Sequence, residues 1–444
     1  MQDQSIDERP VSSMQLDRED YSASPRRMIH ICEGDILPPV SFLPTLSDMI
    51  GGLKISPIRR VAALLDQARQ KQNIISFGGG APSLPPPPEV VDHMCQLIKG
   101  EAKQACSYTG TRGIPELREL IAQDTKNWFG VSYEPKHEVI VTSGGTEGIC
   151  CAFMSLLNRS DEVILMDPTY LGYREAARIA GARTKTLTVS VDRGFQPDVE
   201  DLKQLISPST KLFVLLSPDN PTGRVVETIF AKALVDLAED HDFWIVSDEA
   251  YKHIVYDGSH VPISSIENAH ERVVSVNTFS KEASIPGLRL GYVLAPSEVV
   301  EAMEKVKQYT SLAPSSLAQF AMVKFLQNGT KERYLKETVI PTYKKRRDFM
   351  GGEIRRHLPE ARTTTPAGAF YYLVDMSSYL EKMDRTDEGF ADRLLLRKSV
   401  VTIPGSYFGE GGRQHIRLTF VSEPEERIRV GFEHIDEYIT SYTF

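Results

Sequence analysis

The chain has 444 residues, of which 41% are hydrophobic and 25% charged, with a net charge of −9 and a pI near 5.7. This composition predicts a globular chain long enough for two domains, and its acidity argues against nucleic acid or an anionic membrane as the main partner. We expect neither a membrane span nor a signal or transit peptide. The chain has 5 cysteines, an odd number, and they lack the spacing of metal ligands. This pattern favours a reducing, cytoplasmic compartment.

The N-terminal part predicts an arm followed by one helix and a loop. Residues 1–45 are polar and lack an apolar period, which predicts a flexible arm. The stretch Ser56–Gln70 begins with a serine suited to a helix N-cap and continues with an apolar stripe, so we expect an amphipathic helix. The loop Gly78–Pro82 is rich in glycine, which lets the backbone come close to a ligand.

The middle of the chain alternates short apolar strands with helical patterns. Strands are predicted at Val139–Thr142, Val163–Met166, Lys185–Val189, Lys211–Leu216, Phe243–Val246 and Leu288–Leu294, and helices at Thr146–Leu157, Val199–Ile206 and Ile229–Glu239. This alternation predicts an α/β fold with a mostly parallel sheet that is covered by helices on both faces.

The C-terminal third has a different pattern. It begins with helical stretches at Glu298–Tyr309, Ser315–Gln327 and Lys331–His357, and continues with strands near Phe370–Val374, Val400–Ile403 and Ile416–Phe420 and a helix near Pro424–Ile439. We therefore expect a large domain over residues 90–325 and a smaller α+β domain over residues 326–444. Residues 46–89 would join the small domain.

A lone lysine follows the strand-like run at Val273–Val276. Most such lysines are solvated surface charges. Lys281, however, stands after the hydroxyls of Thr278 and Ser280, and Arg289 follows a Pro-Gly bend. A lysine in a partly apolar setting loses its proton near neutral pH and attacks carbonyls, and an arginine fork binds phosphate. Amine, hydroxyls and arginine together predict an anchor for pyridoxal 5'-phosphate (PLP).

Other polar residues follow predicted strands. The turn Ser143–Gly148 would present backbone N–H groups to an anion, although many such turns are glycine-rich for steric reasons. Asn220 is predicted at the carboxyl end of the sheet, where α/β proteins bind ligands. Asp248 either caps a helix or pairs with a protonated ring nitrogen, and Tyr251 could donate its phenol proton to a cofactor oxygen.

These motifs occur in an order that points to one family. The set YTGTRGIPELRE, TSGGTEG, DPTY, SPDNPTG, SDEAY, TFSK with PGLRLGY, and IRLTF resembles the class I/II aminotransferases, which are fold type I PLP enzymes. The resemblance runs from about Ser56 to the C-terminus. It implies a seven-stranded sheet in the large domain and transfer of the amino group of an L-amino acid to a 2-oxo acid.

The resemblance also implies a role for each matching residue. Lys281 would form the internal aldimine and move the proton at the substrate Cα, and Asp248 would hold the pyridinium N–H. Asn220 and Tyr251 would bind the cofactor O3', and Tyr170 would stack on the ring. The phosphate would be bound by Gly145, Thr146, Thr278, Ser280 and Arg289, with Tyr108 reaching in from the neighbouring subunit of a homodimer with composite sites.

On the substrate side, Arg417 matches the arginine that, in the family, clamps the α-carboxylate. Independently of the family, an arginine in an apolar strand needs a counter-charge, which a carboxylate supplies. Asn220 would also border the substrate, and Gly80 matches the backbone over its carboxylate. The segment Ser56–Arg59 resembles the N-terminal segment of aminoadipate and kynurenine aminotransferases. Arg59 there would either contact an acidic substrate side chain or lie on a helix surface.

Two alternatives to transamination remain at this point. PLP lyases, decarboxylases and oxidases of the same fold share these residues and differ in which Cα bond stands perpendicular to the ring. A PLP-binding transcription factor would need a DNA-binding domain, but the first ~55 residues have neither a basic patch nor a helix-turn-helix pattern.

Overall fold

The computed structural model of the chain describes residues 47–51, 53 and 73–442. The predicted arm, the predicted helix Ser56–Gln70 and Arg59 lie outside the described residues. In chain order the strands within them are β1 (Ile75–Ser76), β2 (Val139–Thr142), β3 (Glu162–Asp167), β4 (Arg183–Thr188), β5 (Thr210–Leu216), β6 (Trp244–Asp248), β7 (Val273–Thr278), β8 (Gly291–Leu294), β9 (Tyr371–Asp375), β10 (Val400–Val401), β11 (Ile403–Pro404) and β12 (His415–Thr419).

The α-helices of the described residues alternate with these strands and then dominate after β8. They are Asp48–Gly51, Pro88–Gly100, Ala102–Ala105, Pro115–Phe129, Gly145–Leu156, Gly172–Ile179, Val199–Leu205, Thr228–Asp240, Phe279–Glu282, Ser297–Thr310, Ser316–Leu326, Thr330–Tyr334, Ile340–His357, Ser377–Lys382, Asp387–Lys398 and Glu425–Thr440. A π-helical turn, Leu335–Val339, joins two of them, so the predicted helix over Lys331–His357 contains one irregular turn. None of the described helices is long and apolar enough to cross a membrane.

The central sheet has seven strands in the order β2-β8-β7-β6-β5-β3-β4, which confirms the predicted α/β class. Strand β8 is antiparallel to both neighbours, and the remaining neighbouring pairs are parallel. Alternate residues of β3 enter different clusters of the core: Val163 and Leu165 one, Ile164 the other. Both faces of the sheet are therefore covered, which is why its strands are almost continuously apolar.

A second sheet is antiparallel and has the order β11-β12-β9. The strand predicted over Val400–Ile403 is wrong as one element, because β10 pairs with β1 whereas β11 pairs with β12. The chain changes sheets at Thr402. The strand predicted over Leu288–Leu294 begins only at Gly291, because Pro286–Leu288 is a 3₁₀ turn and Arg289 has a left-handed φ of 54°. The domain boundary near residue 325 stays a prediction.

The direction of the strands positions the site. Strands β5, β6 and β7 are parallel, so their carboxyl ends meet at one edge of the sheet. Strand β2 points the same way, since β8 is antiparallel to both β2 and β7. The connection from β7 to β8 turns back at this edge and carries Lys281 and Arg289. Polar residues that are far apart in the chain thus converge at one edge, as α/β sheets commonly arrange their ligand sites.

Candidate active site

A cavity of about 320 Å³ opens at this edge of the central sheet. It is lined by Gly78, Gly79, Gly80, Gly145, Thr146, Ile149, Tyr170, Leu216, Asn220, Asp248, Ala250, Tyr251, Thr278, Ser280, Lys281, Pro286, Arg289, Tyr371 and Arg417. Of the predicted site residues that the structure describes, all except Tyr108 are among them. The structure therefore brings together side chains that are separated by most of the chain.

Lys281 stands on the short helix Phe279–Glu282, which Thr278 caps by accepting a hydrogen bond from the N–H of Ser280 at 3.2 Å. Its Nζ donates to the carbonyl oxygen of Gly80 at 2.7 Å. Burial, together with the positive charges of Arg417 and Arg289, lowers the pKa of Lys281 to about 8. A considerable fraction of this amine is therefore neutral near physiological pH, as a nucleophile requires.

Asp248 ends β6 and is buried. Its Oδ2 accepts a hydrogen bond from the Tyr173 hydroxyl at 2.7 Å, and its Oδ1 accepts one from the N–H of Ala250 at 3.0 Å. Burial raises the pKa of Asp248 to about 6, against the opposing effect of these two donors. Residues 250–253 form a turn and not a helix, so the alternative prediction that Asp248 caps a helix is wrong. The carboxylate accepts a hydrogen bond from this turn and lines the cavity.

Another part of the cavity lining is suited to an anion. The helix Gly145–Leu156 begins there, and its first N–H groups and its dipole favour negative charge. A Cβ added to Gly144, whose φ is 83°, would lie 2.5 Å from Nη2 of Arg289. Only glycine lets this guanidinium approach the turn so closely. The hydroxyls of Thr278 and Ser280 lie 2.9 Å apart beside it.

Arg417, on β12, is buried between two aromatic rings. Its Cζ lies 4.4 Å from the ring centroid of Tyr371 and 4.8 Å from that of Phe408. Nη1 donates to Oδ1 of Asn220 at 2.9 Å and Nη2 to the carbonyl oxygen of Gly78 at 2.7 Å, whereas the buried Nε has no hydrogen-bond partner in the described chain. Burial lowers the pKa of Arg417. A buried guanidinium with spare donors is suited to a carboxylate ligand.

Some site residues were not identified from the sequence. The hydroxyl of Tyr371 lies 2.9 Å from that of Tyr251, and the hydroxyl of Tyr173 donates a hydrogen bond to Asp248. Each is a tyrosine within an apolar pattern, which by itself indicates a core aromatic. Tyr108, in contrast, is 88% exposed and does not line the cavity.

Comparison with known proteins identifies the family of this chain. Residues 72–435 match the family model described as aminotransferase class I and II. The chain belongs to this family. It is a PLP-dependent aminotransferase that transfers the amino group of an L-amino acid to a 2-oxo acid, and the comparisons do not favour the lyase, decarboxylase or oxidase alternative.

Relatives of this aminotransferase match it over most of their length. The aspartate aminotransferase of Pyrococcus horikoshii is 34% identical over 375 residues, which are 83% of this chain and 92% of that protein. The aspartate/prephenate aminotransferase of Thermus thermophilus is 34% identical over 374 residues, 84% of this chain and 92% of that protein. The solved structure of aspartate aminotransferase from Thermus thermophilus with maleate superposes with a TM-score of 0.83 at 32% identity, covering 89% of this chain and 100% of that one.

The cavity of this aminotransferase has the chemistry that PLP requires. The buried carboxylate of Asp248 suits a protonated ring nitrogen, and the partly neutral amine of Lys281 suits an aldehyde. The turn at Gly144, the helix N-terminus and Arg289 suit a phosphate. The residues present therefore fit the cofactor that the family uses.

Proposed function

We propose that this aminotransferase binds the α-carboxylate of its amino acid through Arg417 and uses Lys281 to move the proton at the substrate Cα. The proposal depends chiefly on one observation: Arg417 is buried with an unpartnered Nε and lines the same cavity as the Lys281 amine. A carboxylate that binds the guanidinium compensates its charge and places the substrate amino group in that cavity. Asn220 and the Gly80 backbone border the same space and serve as further contacts to the substrate.

PLP supplies an electron sink that stabilises negative charge at the substrate Cα. Around it, Asp248 would hold the pyridine nitrogen in its protonated form, and Asn220 and Tyr251 would bind the ring oxygen O3'. Tyr170 lines the cavity with an aromatic face and would stack on the ring. The phosphate would be bound by Gly145, Thr146, Thr278, Ser280 and Arg289.

Lys281 has the position and basicity for proton transfer. With its pKa lowered to about 8, the amine accepts a proton readily and also returns it near neutral pH, which is the condition for efficient general acid–base catalysis. Its hydrogen bond to the Gly80 carbonyl holds Nζ inside the cavity. The surrounding burial excludes water that would compete for the proton.

L-Aspartate is the donor that we propose to test first, because relatives of this chain are named for aspartate, and a 2-oxo dicarboxylic acid is the corresponding acceptor. Aromatic amino acids form the second group, since another relative is named as an aromatic-amino-acid aminotransferase. If Arg59 contacts the substrate, as the sequence suggested, a donor with an acidic side chain would benefit from it.

The test is a half-reaction on the purified holoenzyme, mixed with one L-amino acid at a time without an acceptor. We expect the absorbance of the bound cofactor to change once per site and to be restored by a 2-oxo acid, fastest with L-aspartate. Continuous release of ammonia, CO₂ or peroxide without an acceptor would refute the proposal. Ranking aromatic donors first would refute only the choice of aspartate.

We also propose a homodimer in which Tyr108 of one subunit binds the phosphate in the other. Tyr108 is 88% exposed and does not line the cavity of its own chain, which supports a role across an interface. In a hybrid of a Lys281→Ala chain with a Tyr108→Ala chain, one site would be complete. A hybrid of a chain that carries both substitutions with a wild-type chain would have no complete site. Higher activity in the first hybrid than in the second supports composite sites, and equal activity would refute them.

Cytoplasmic location is part of the same proposal. Cys95, Cys106, Cys150 and Cys151 are all free thiols, as expected in a reducing compartment. Fractionation of the source cells with an antibody against the protein tests it, and recovery from an oxidising compartment would contradict it.

A further inference from the structure

Tyr371 connects two residues to which the proposed function gives separate roles. Its hydroxyl lies 2.9 Å from that of Tyr251, and its ring centroid lies 4.4 Å from Cζ of Arg417. We propose that Tyr371 is a positioning residue that donates its hydroxyl proton to Tyr251 and so makes Tyr251 a stronger donor to the ring oxygen of the cofactor. This inference depends on the proposed role of Tyr251.

The direction of donation follows from counting protons. Each hydroxyl has one proton to donate and can accept as well. If Tyr251 donated to Tyr371, it would have no proton left for an acceptor in the cavity. Within the part of the chain that the structure describes, Tyr251 is the hydrogen-bond partner of the Tyr371 hydroxyl. An anionic ring oxygen in the cavity therefore favours the order Tyr371 to Tyr251 to ring oxygen.

The surroundings of the Tyr371 hydroxyl strengthen this chain of donors. Tyr371 and Tyr251 are both buried, and a Cβ added to Gly80 would lie 2.5 Å from the Tyr371 oxygen, so the Gly80 backbone closes over it. Consecutive hydrogen bonds polarise one another, and a low local dielectric enlarges the effect. The Gly80 carbonyl also accepts the hydrogen bond from Lys281, so the same backbone segment contacts both groups.

The effect is measurable on the cofactor without turnover. Lys281 binds the cofactor through a nitrogen next to the ring oxygen. Negative charge on the ring oxygen raises the pKa of this nitrogen, and a hydrogen bond donated to the oxygen weakens that effect. Loss of the Tyr371 hydroxyl should therefore raise the pH midpoint of the absorbance change of the lysine-bound cofactor. For Tyr371→Phe we expect a rise of about half a pH unit. The KM for the amino acid should stay within about twofold, because the phenyl ring still packs on Arg417.

A matched control and a double variant separate this role from a structural one. Tyr372→Phe removes a buried hydroxyl from the next position of β9, where it donates to the carbonyl oxygen of Arg347 at 3.1 Å, and should leave the midpoint unchanged. Tyr251→Phe should raise the midpoint more than Tyr371→Phe does. Adding Tyr371→Phe to Tyr251→Phe should then change nothing further, because the second tyrosine acts through the first.

Each contrary result has a distinct meaning. An unchanged midpoint in Tyr371→Phe, with a shift in Tyr251→Phe, overturns the inference and leaves the proposed role of Tyr251 intact. An equal added shift in the Tyr251→Phe background also overturns it, since Tyr371 would then act independently. If Tyr251→Phe itself leaves the midpoint unchanged, the proposed role of Tyr251 fails and the inference fails with it.

Discussion

The hydroxyl of Tyr173 donates a hydrogen bond to Oδ2 of Asp248 at 2.7 Å, and both side chains are buried beside the cavity. This donor favours the charged carboxylate and opposes the burial that raises the pKa of Asp248 to about 6. Tyr173 thus helps to keep Asp248 ionised at neutral pH, the state that pairs with a protonated ring nitrogen.

Tyr173→Phe should therefore raise the pKa of Asp248 further and weaken PLP binding. We expect the Kd for PLP to rise about tenfold at pH 7, since a hydrogen bond to a charged group is lost, and to rise less at pH 8.5, where the carboxylate is ionised in both proteins. Fluorescence titration of the cofactor-free protein measures this. Tyr256→Phe, which removes a buried hydroxyl that donates to the Ala369 carbonyl oxygen, is the control. Equal Kd values for Tyr173→Phe and the control would contradict the prediction.

Attachment of PLP to the cofactor-free protein should depend on pH through Lys281. Because its pKa is lowered from 10.5 to about 8, the amine is protonated below pH 8 and neutral above it. The second-order rate should rise about tenfold per pH unit between pH 6 and 7 and level off above pH 8. Stopped-flow absorbance measures the rate. Lys281→Ala should show no covalently bound cofactor, whereas Lys305→Ala, at an exposed position, should match the wild type. A normal cofactor spectrum in Lys281→Ala would refute the assignment of Lys281 as the residue that binds PLP.

Arg417→Lys should impair substrate binding rather than cofactor binding. Lysine retains the charge but loses the planar fork that holds a carboxylate with two parallel hydrogen bonds. We expect KM to rise about 100-fold for both the amino acid and the 2-oxo acid, with the spectrum of the bound cofactor unchanged. Arg413→Lys, at an exposed position paired with Glu410, is the control. A KM close to that of the control would show that the carboxylate binds elsewhere.

A buried ion cluster next to Lys281 should contribute strongly to stability. Nζ of Lys331 lies 2.6 Å from Asp124 and 3.2 Å from Glu282, the residue that follows Lys281, and its side chain is 3% exposed. Lys331→Met leaves the buried carboxylate of Glu282 and the partly buried carboxylate of Asp124 without this cation, so we expect the free energy of unfolding to fall by about 3–5 kcal/mol.

Urea denaturation of the cofactor-free protein measures this loss. Lys336→Met, which breaks a pair of the same 2.6 Å length between exposed side chains, should cost less than about 1 kcal/mol. The loss in Lys331→Met should shrink at pH 5, because burial raises the pKa of Glu282 and protonation removes the uncompensated charge. Equal losses for the two variants would refute the importance of the buried cluster.

The sequence by itself determined the fold class and most of the candidate site. Strands covered on both faces are nearly continuous apolar runs, so β2, β3 and β5 were recognisable without the structure. Polar residues at the ends of such runs, notably Asp248 and Asn220, stand out because polar groups in these positions need a partner or a ligand. The order of the motifs then indicated the family, and comparison with known proteins confirmed it.

Only the tertiary structure decided which aromatic and charged side chains act on one another. Tyr371 and Tyr173 sit in apolar patterns, where a tyrosine with a functional hydroxyl cannot be distinguished from one that fills the core. The pairing of Lys331 with Glu282 joins distant parts of the chain, and periodicity carries no information on such contacts. The break between β10 and β11 was hidden for the same reason, since a strand's pattern reveals which residues are buried but not which strand lies beside it.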